Sequence, residues 1–62
     1  DSNHRVIALV LVLSADNYRY AGEEQKAIAM YEESLQMYRE VEPDHKNVTL
    51  ITKYLANLRV QV

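Results

Sequence analysis

Two histidines and two pairs of adjacent glutamates are the side chains that could bind a metal ion or transfer a proton. The histidines are His4 and His45, and the acidic pairs occupy positions 23–24 and 32–33. A metal site needs three or four ligands that converge, but each histidine lacks a cysteine or a second histidine nearby in sequence. Adjacent glutamates on a helix point in different directions. We therefore expect no metal site and no cofactor.

Nucleophilic and phosphate-binding chemistry is also unsupported by the sequence. Ser14 and Ser34 lie within helical patterns rather than in the strand–turn–helix setting that exposes a serine nucleophile. Gly22 is the single glycine, so a glycine-rich phosphate loop cannot form. The chain is predicted not to be an enzyme.

Composition and charge place the chain among small folded domains. It has 62 residues, 48% of them hydrophobic, and no cysteine, which excludes disulfides and thiolate metal sites. Residues 1–20 are neutral, residues 21–44 carry seven acids against two bases (−5), and residues 45–62 carry +3. This balance argues against a nucleic-acid partner and allows attraction between copies.

An apolar run occupies positions 6–13. Eight residues cannot span a bilayer, and the polar residues that follow do not resemble a leader cleavage site. We interpret the run as structural, predict no membrane insertion and expect a cytoplasmic location.

Apolar spacing predicts three helices, at about 4–20, 24–41 and 46–61. Asn3 is the expected N-cap of the first helix, and Asp44 or Asn47 that of the third. Gly22 suits the left-handed position after the first helix. The predicted fold is all-α, an antiparallel helical hairpin with a third helix packed on it, in one domain over 1–62.

A phrase recurs 41 residues apart, with His4 matching His45 and Ala15 matching Ala56. A period of this size is typical of helical repeat proteins. From the first copy to the second helix, small and large residues occur in a fixed order: Ala15, Tyr18, Gly22, Ala27, Tyr31, Ser34, Leu35.

This pattern resembles the tetratricopeptide repeat, in the long variant found in kinesin light chains. The resemblance covers nearly the whole chain and implies about one and a half repeats that act as a protein-binding scaffold. The segments 44–49 and 55–58 follow the family's opening D-H-P-x-V-A phrase and its L-A-x-x-Y phrase. Lys46 stands where the family usually has proline, and Val12 and Leu13 stand where it commonly has asparagines.

A second resemblance, carried by residues 21–31, is to the microtubule-interacting-and-trafficking domain. That family is a three-helix bundle, and the resemblance implies binding of tail helices of membrane-remodelling proteins in grooves between the helices. The repeated histidine phrase favours the tetratricopeptide interpretation.

The expected partner-binding surface is the first-helix face. In tetratricopeptide arrays the first helix of each repeat lines the concave surface, and here the spacing places Leu9, Val12, Asp16 and Arg19 on it. Two interpretations stay open: the face binds a peptide or helix, or it packs against another copy of the chain. Because apolar residues surround the first helix on most sides, we also expect a homodimer.

Overall fold

The computed structural model describes residues 2–61, and over this range the chain forms three α-helices joined by two short turns. Helix α1 spans Ser2–Tyr20, α2 spans Glu24–Val41 and α3 spans Lys46–Gln61. The predicted all-α fold is confirmed. The observed ranges of α2 and α3 agree with the expected ones, whereas α1 begins earlier, at Ser2 rather than His4.

Helix α2 is central and runs antiparallel to both of its neighbours. Arg5, near the start of α1, pairs with Glu42 just after α2, at a distance of 2.6 Å from Nη2 to Oε1. Arg59, near the end of α3, pairs with Glu32 in the first half of α2. Contact between α1 and α3 is slight by comparison with the contact of each with α2. The molecule is therefore a hairpin with a third helix laid on its second arm.

The turn between α1 and α2 depends on Gly22, which has a φ of +80°. This left-handed conformation lets the Glu23 amide donate to the Tyr18 carbonyl at 2.9 Å and the Gly22 amide donate to the Arg19 carbonyl at 3.1 Å. The two bonds satisfy carbonyls that the helix end leaves unpaired. The chain reverses in three residues as a result.

The expected helix caps were wrong at both sites. Because α1 already begins at Ser2, Asn3 lies inside its first turn instead of capping it. At α3 the cap is His45, whose Nδ1 accepts the Asn47 amide at 3.0 Å. Asp44 lies one position too early for this role, since the helix begins at Lys46.

The core is a continuous apolar cluster with α2 at its centre. Its buried hydrophobic members are Ala8, Ala15, Ala27, Tyr31, Leu35, Tyr38, Ile51, Leu55 and Leu58. Ser34 is also buried, and its hydroxyl donates to the Tyr31 carbonyl at 3.1 Å. Tyr31 and Tyr38 are thus core residues, and Tyr18 packs against the cluster while partly exposed. Asp1 and Val62 lie outside the described residues.

Candidate interaction surface

Helix α1 turns five of its large apolar side chains away from the core. Its two fully buried residues are alanines, Ala8 and Ala15, which contact α2. Small residues at these positions allow the two helix axes to approach closely. Val12 also packs against the core, and five of the larger residues of the run are left on the outer side of the helix.

We call this outer side the α1 apolar face. It comprises five side chains that are 46–59% exposed: Val6, Ile7, Leu9, Val10 and Leu13. At 100° per residue these positions cover an arc of about 160° around the helix. No charged residue occurs between Arg5 and Asp16, so the face is uncharged over its whole length.

The four residues predicted to form a concave binding face are divided by the structure. Leu9 belongs to the α1 apolar face and is exposed, whereas Val12 packs against the core. Asp16 and Arg19 are half-buried, with an Nη2–Oδ1 distance of 3.4 Å. Of the predicted set, Leu9 is therefore the residue most available to a partner.

Asp16 and Arg19 lie at a junction where all three helices meet. The Tyr31 hydroxyl of α2 donates a hydrogen bond to Asp16 Oδ1. The Arg19 guanidinium lies 4.3 Å from the ring centre of Tyr54 on α3 and 5.0 Å from that of Tyr20. The Tyr31 and Tyr54 rings are 5.5 Å apart. Spacing within one helix could not predict this junction, because its members come from three different helices.

The junction changes the proton affinities of two of its members. Burial of the Tyr31 hydroxyl, together with its hydrogen bond to the Asp16 carboxylate, raises its pKa well above the usual 10.0. Burial alone would lower the pKa of Arg19, but the neighbouring Tyr31 and Asp16 outweigh it and the net shift is upward. Asp16 and Arg19 thus stabilise the packing of the helices.

A groove of about 610 Å³ lies between α2 and α3 on the surface away from α1. Its apolar lining comes from Leu35, Leu55 and Ala56, and the Glu32–Arg59 ion pair lies at its edge. This groove combines apolar contact with both signs of charge, in contrast to the uncharged α1 apolar face.

His45 has a structural position at the start of α3. Besides capping α3, its ring stacks on Tyr38 with centroids 4.7 Å apart, and the Tyr38 hydroxyl accepts a bond from Asn47 Nδ2 at 3.0 Å. Within the described residues, no group of three or more His, Asp or Glu side chains converges as metal ligands. None of the helices between residues 2 and 61 is both long and apolar enough to cross a bilayer.

No protein-family model, curated protein or solved structure matches this chain. Its function has to be inferred from its own surface.

Proposed function

We propose that this chain is a non-enzymatic protein–protein interaction module of the tetratricopeptide type, which binds a helix or a peptide on the α1 apolar face. The observation that carries the proposal is the exposure of five large aliphatic side chains on one side of one helix. Contiguous exposed apolar surface on a small folded domain marks an interaction site. The proposal also includes the predicted cytoplasmic location.

The size of the domain strengthens this argument. A chain of 62 residues has little apolar surface to spare, because small domains bury a low fraction of their surface. Here alanines occupy the α1 contact with α2 while leucine and valines face solvent. An arrangement of this kind lowers the stability of the isolated chain and is favoured when a partner covers the exposed side chains.

The charge pattern defines the partner's contact surface. Because the α1 apolar face carries no charge, it offers no ion pair to a charged ligand, and burying an unpaired charge against it is unfavourable. The complementary surface should therefore be aliphatic or aromatic, as on one side of an amphipathic helix.

The test is selection of helical peptides from a displayed library on the wild-type chain, followed by measurement of their affinities for two variants. Leu9→Asp places a carboxylate in the α1 apolar face, and we expect it to weaken the selected peptides at least about tenfold. Val60→Asp is the matched control, since Val60 is an 87% exposed valine on α3. Equal binding to both variants, or no enriched peptide, would contradict the proposal.

Self-association through the same face is a second candidate function. Val6, Leu9 and Leu13 have the spacing of a helix–helix seam, and an uncharged aliphatic seam is compatible with itself. Sedimentation at high micromolar concentration should then give twice the chain mass for wild type and Val60→Asp, and the single mass for Leu9→Asp. A helical monomer in every case would rule out this candidate.

A third candidate function is binding of a tail helix, as the resemblance to the microtubule-interacting-and-trafficking domain implies. This function would use the groove between α2 and α3. In its favour, the groove has both apolar lining and charged edges, which suit a tail helix. Ala56→Arg would fill this groove. Selected peptides that lose affinity for Ala56→Arg, and keep it for Leu9→Asp, would support this candidate over the first.

A further inference from the structure

The internal repeat gives each α1 residue from Arg5 to Tyr20 a counterpart in α3, 41 positions later. All five residues of the α1 apolar face have such a counterpart. Leu9 corresponds to Leu50, which is also exposed, and Val6 to the polar Asn47. Three other pairs are apolar in both copies. The pairs are Ile7 with Val48, Val10 with Ile51, and Leu13 with Tyr54. In each pair both residues are large and apolar, so the pattern of the face is repeated along with the histidine phrase.

The α3 residues of these three pairs are buried or partly buried, whereas their α1 counterparts are exposed to solvent. Ile51 is 1% exposed while Val10 is 53% exposed. Val48 and Tyr54 pack against the core, whereas Ile7 and Leu13 face solvent. Over residues 2–61, α3 makes its extensive contact with α2, which covers these residues, while Arg19 of α1 also lies against Tyr54.

Helix α2 presents a defined set of side chains to α3. The Tyr31 ring lies 5.5 Å from that of Tyr54, and Leu35 lies beside Leu55 in the wall of the groove. Tyr38 stacks on His45, at the start of α3. The stripe is therefore Tyr, Leu, Tyr at spacings of four and three, on a helix antiparallel to the one that it covers.

We propose that Ile7, Val10 and Leu13 form a docking site for an antiparallel amphipathic helix of the same chemistry as α2, with tyrosine, leucine and tyrosine at positions i, i+4 and i+7. The proposal rests on the proposed function and narrows its partner to one class. The occupant is identified by the repeat: the same pattern 41 residues later is covered by such a helix.

Binding of a synthetic peptide with the sequence of residues 24–41 to the full chain tests this inference. The peptide has blocked ends and a fluorescent label, and anisotropy reports its binding. We expect saturable binding, which weakens at least about tenfold with Val10→Asp and changes less than about twofold with Val60→Asp. A peptide with Tyr31→Asp and Leu35→Asp should not bind.

Further measurements ensure that each outcome decides the question. Circular dichroism checks that Val10→Asp is folded, and Leu13→Asp provides a second variant at a residue that is also about half exposed, at 54%. Peptide binding that both variants leave intact would place the peptide elsewhere and overturn the inference.

Failure of the inference differs from failure of the proposed function. If the 24–41 peptide does not bind but library-selected helices still require Leu9, the inference is overturned and the function stands. If neither kind of peptide binds, both are overturned. If sedimentation shows a dimer that Val10→Asp dissociates and the peptide cannot compete with it, the occupant is a second copy and the inference is again overturned.

Discussion

Helices α1 and α3 carry the two copies of one pattern, yet they contact α2 through different sides. α1 contacts α2 through Ala8 and Ala15, whose counterparts in α3, Thr49 and Ala56, are exposed. α3 contacts α2 through Ile51, whose counterpart in α1 is also exposed. The pattern thus contains two contact faces, and each copy uses the one that the other leaves open.

The sides of α1 and α3 that do not contact α2 differ in polarity. This difference distinguishes an end of the molecule suited to solvent from one suited to a partner. On α3 the unused side carries the polar Thr49, Thr52 and Lys53 and the small Ala56, all exposed. On α1 it carries the apolar face. A polar outer side is what keeps the terminal unit of a helical array soluble. The α3 end has this property, and the α1 end does not.

The largest expected effect comes from a pair of alanine substitutions, one on α3 and one at the equivalent position on α1. Ile51→Ala should lower the free energy of unfolding by about 2–5 kcal/mol, because it leaves a cavity against α2. Val10→Ala should change it by less than about 0.5 kcal/mol, since the side chain is exposed and alanine favours helix. Urea titration followed by circular dichroism measures both, and similar losses would show that the two positions are not differently used.

A second pair of substitutions tests the other contact face, where the α1 residue is buried and its α3 counterpart is exposed. Ala15→Leu inserts a large side chain into the close contact of α1 with α2, at an expected cost of about 1–3 kcal/mol. Ala56→Leu enters the open groove beside α3 and should change stability by less than about 0.5 kcal/mol. The same titration applies. A larger loss for Ala56→Leu than for Ala15→Leu would contradict the assignment of the two faces.

The smallest effect concerns the hydrogen bond that joins α1 to α2. Because the folded chain holds the pKa of Tyr31 above its usual 10.0, unfolded chains release that proton first as the pH rises. Stability should therefore fall above about pH 10, by up to about 1.4 kcal/mol per pH unit from this group, and Tyr31→Phe should remove that component. Below pH 10 the group adds no pH dependence.

Tyr20→Phe is the control for this measurement, since Tyr20 is 81% exposed. Unfolding free energies between pH 9 and pH 11 should run parallel for wild type and Tyr20→Phe and diverge for Tyr31→Phe. Parallel curves for all three proteins would mean that Tyr31 titrates alike in the folded and unfolded states.

Much of the fold could be predicted from the sequence because its determinants are local. Apolar spacing gave the stripe of α3, and Gly22 marked the first turn through its need for positive φ. The cap of α3 could not be predicted from the usual preference for Ser, Thr, Asp and Asn, because its acceptor is the ring Nδ1 of His45.

The candidate site was predicted only in part. Helical spacing places Leu9, Val12, Asp16 and Arg19 on one side of α1, but it does not say what lies against that side. Tyr31 and Tyr54 lie against Asp16 and Arg19, and neither contact has a signal in local sequence. Which residues of the α1 pattern lack a covering helix becomes clear only when each is compared with its counterpart in α3.

The central place of α2 also has a kinetic consequence. Nearly all tertiary contacts join helices that are consecutive along the chain, so each forms after closure of one short turn, and the entropy lost in that step is small. Chains with such local contacts fold on the order of microseconds to milliseconds. Because α1 contacts α3 far less than it contacts α2, mainly through Arg19 and Tyr54, either outer helix can detach while the remaining pair stays closed. A partner bound on α1 would delay the release of that helix most.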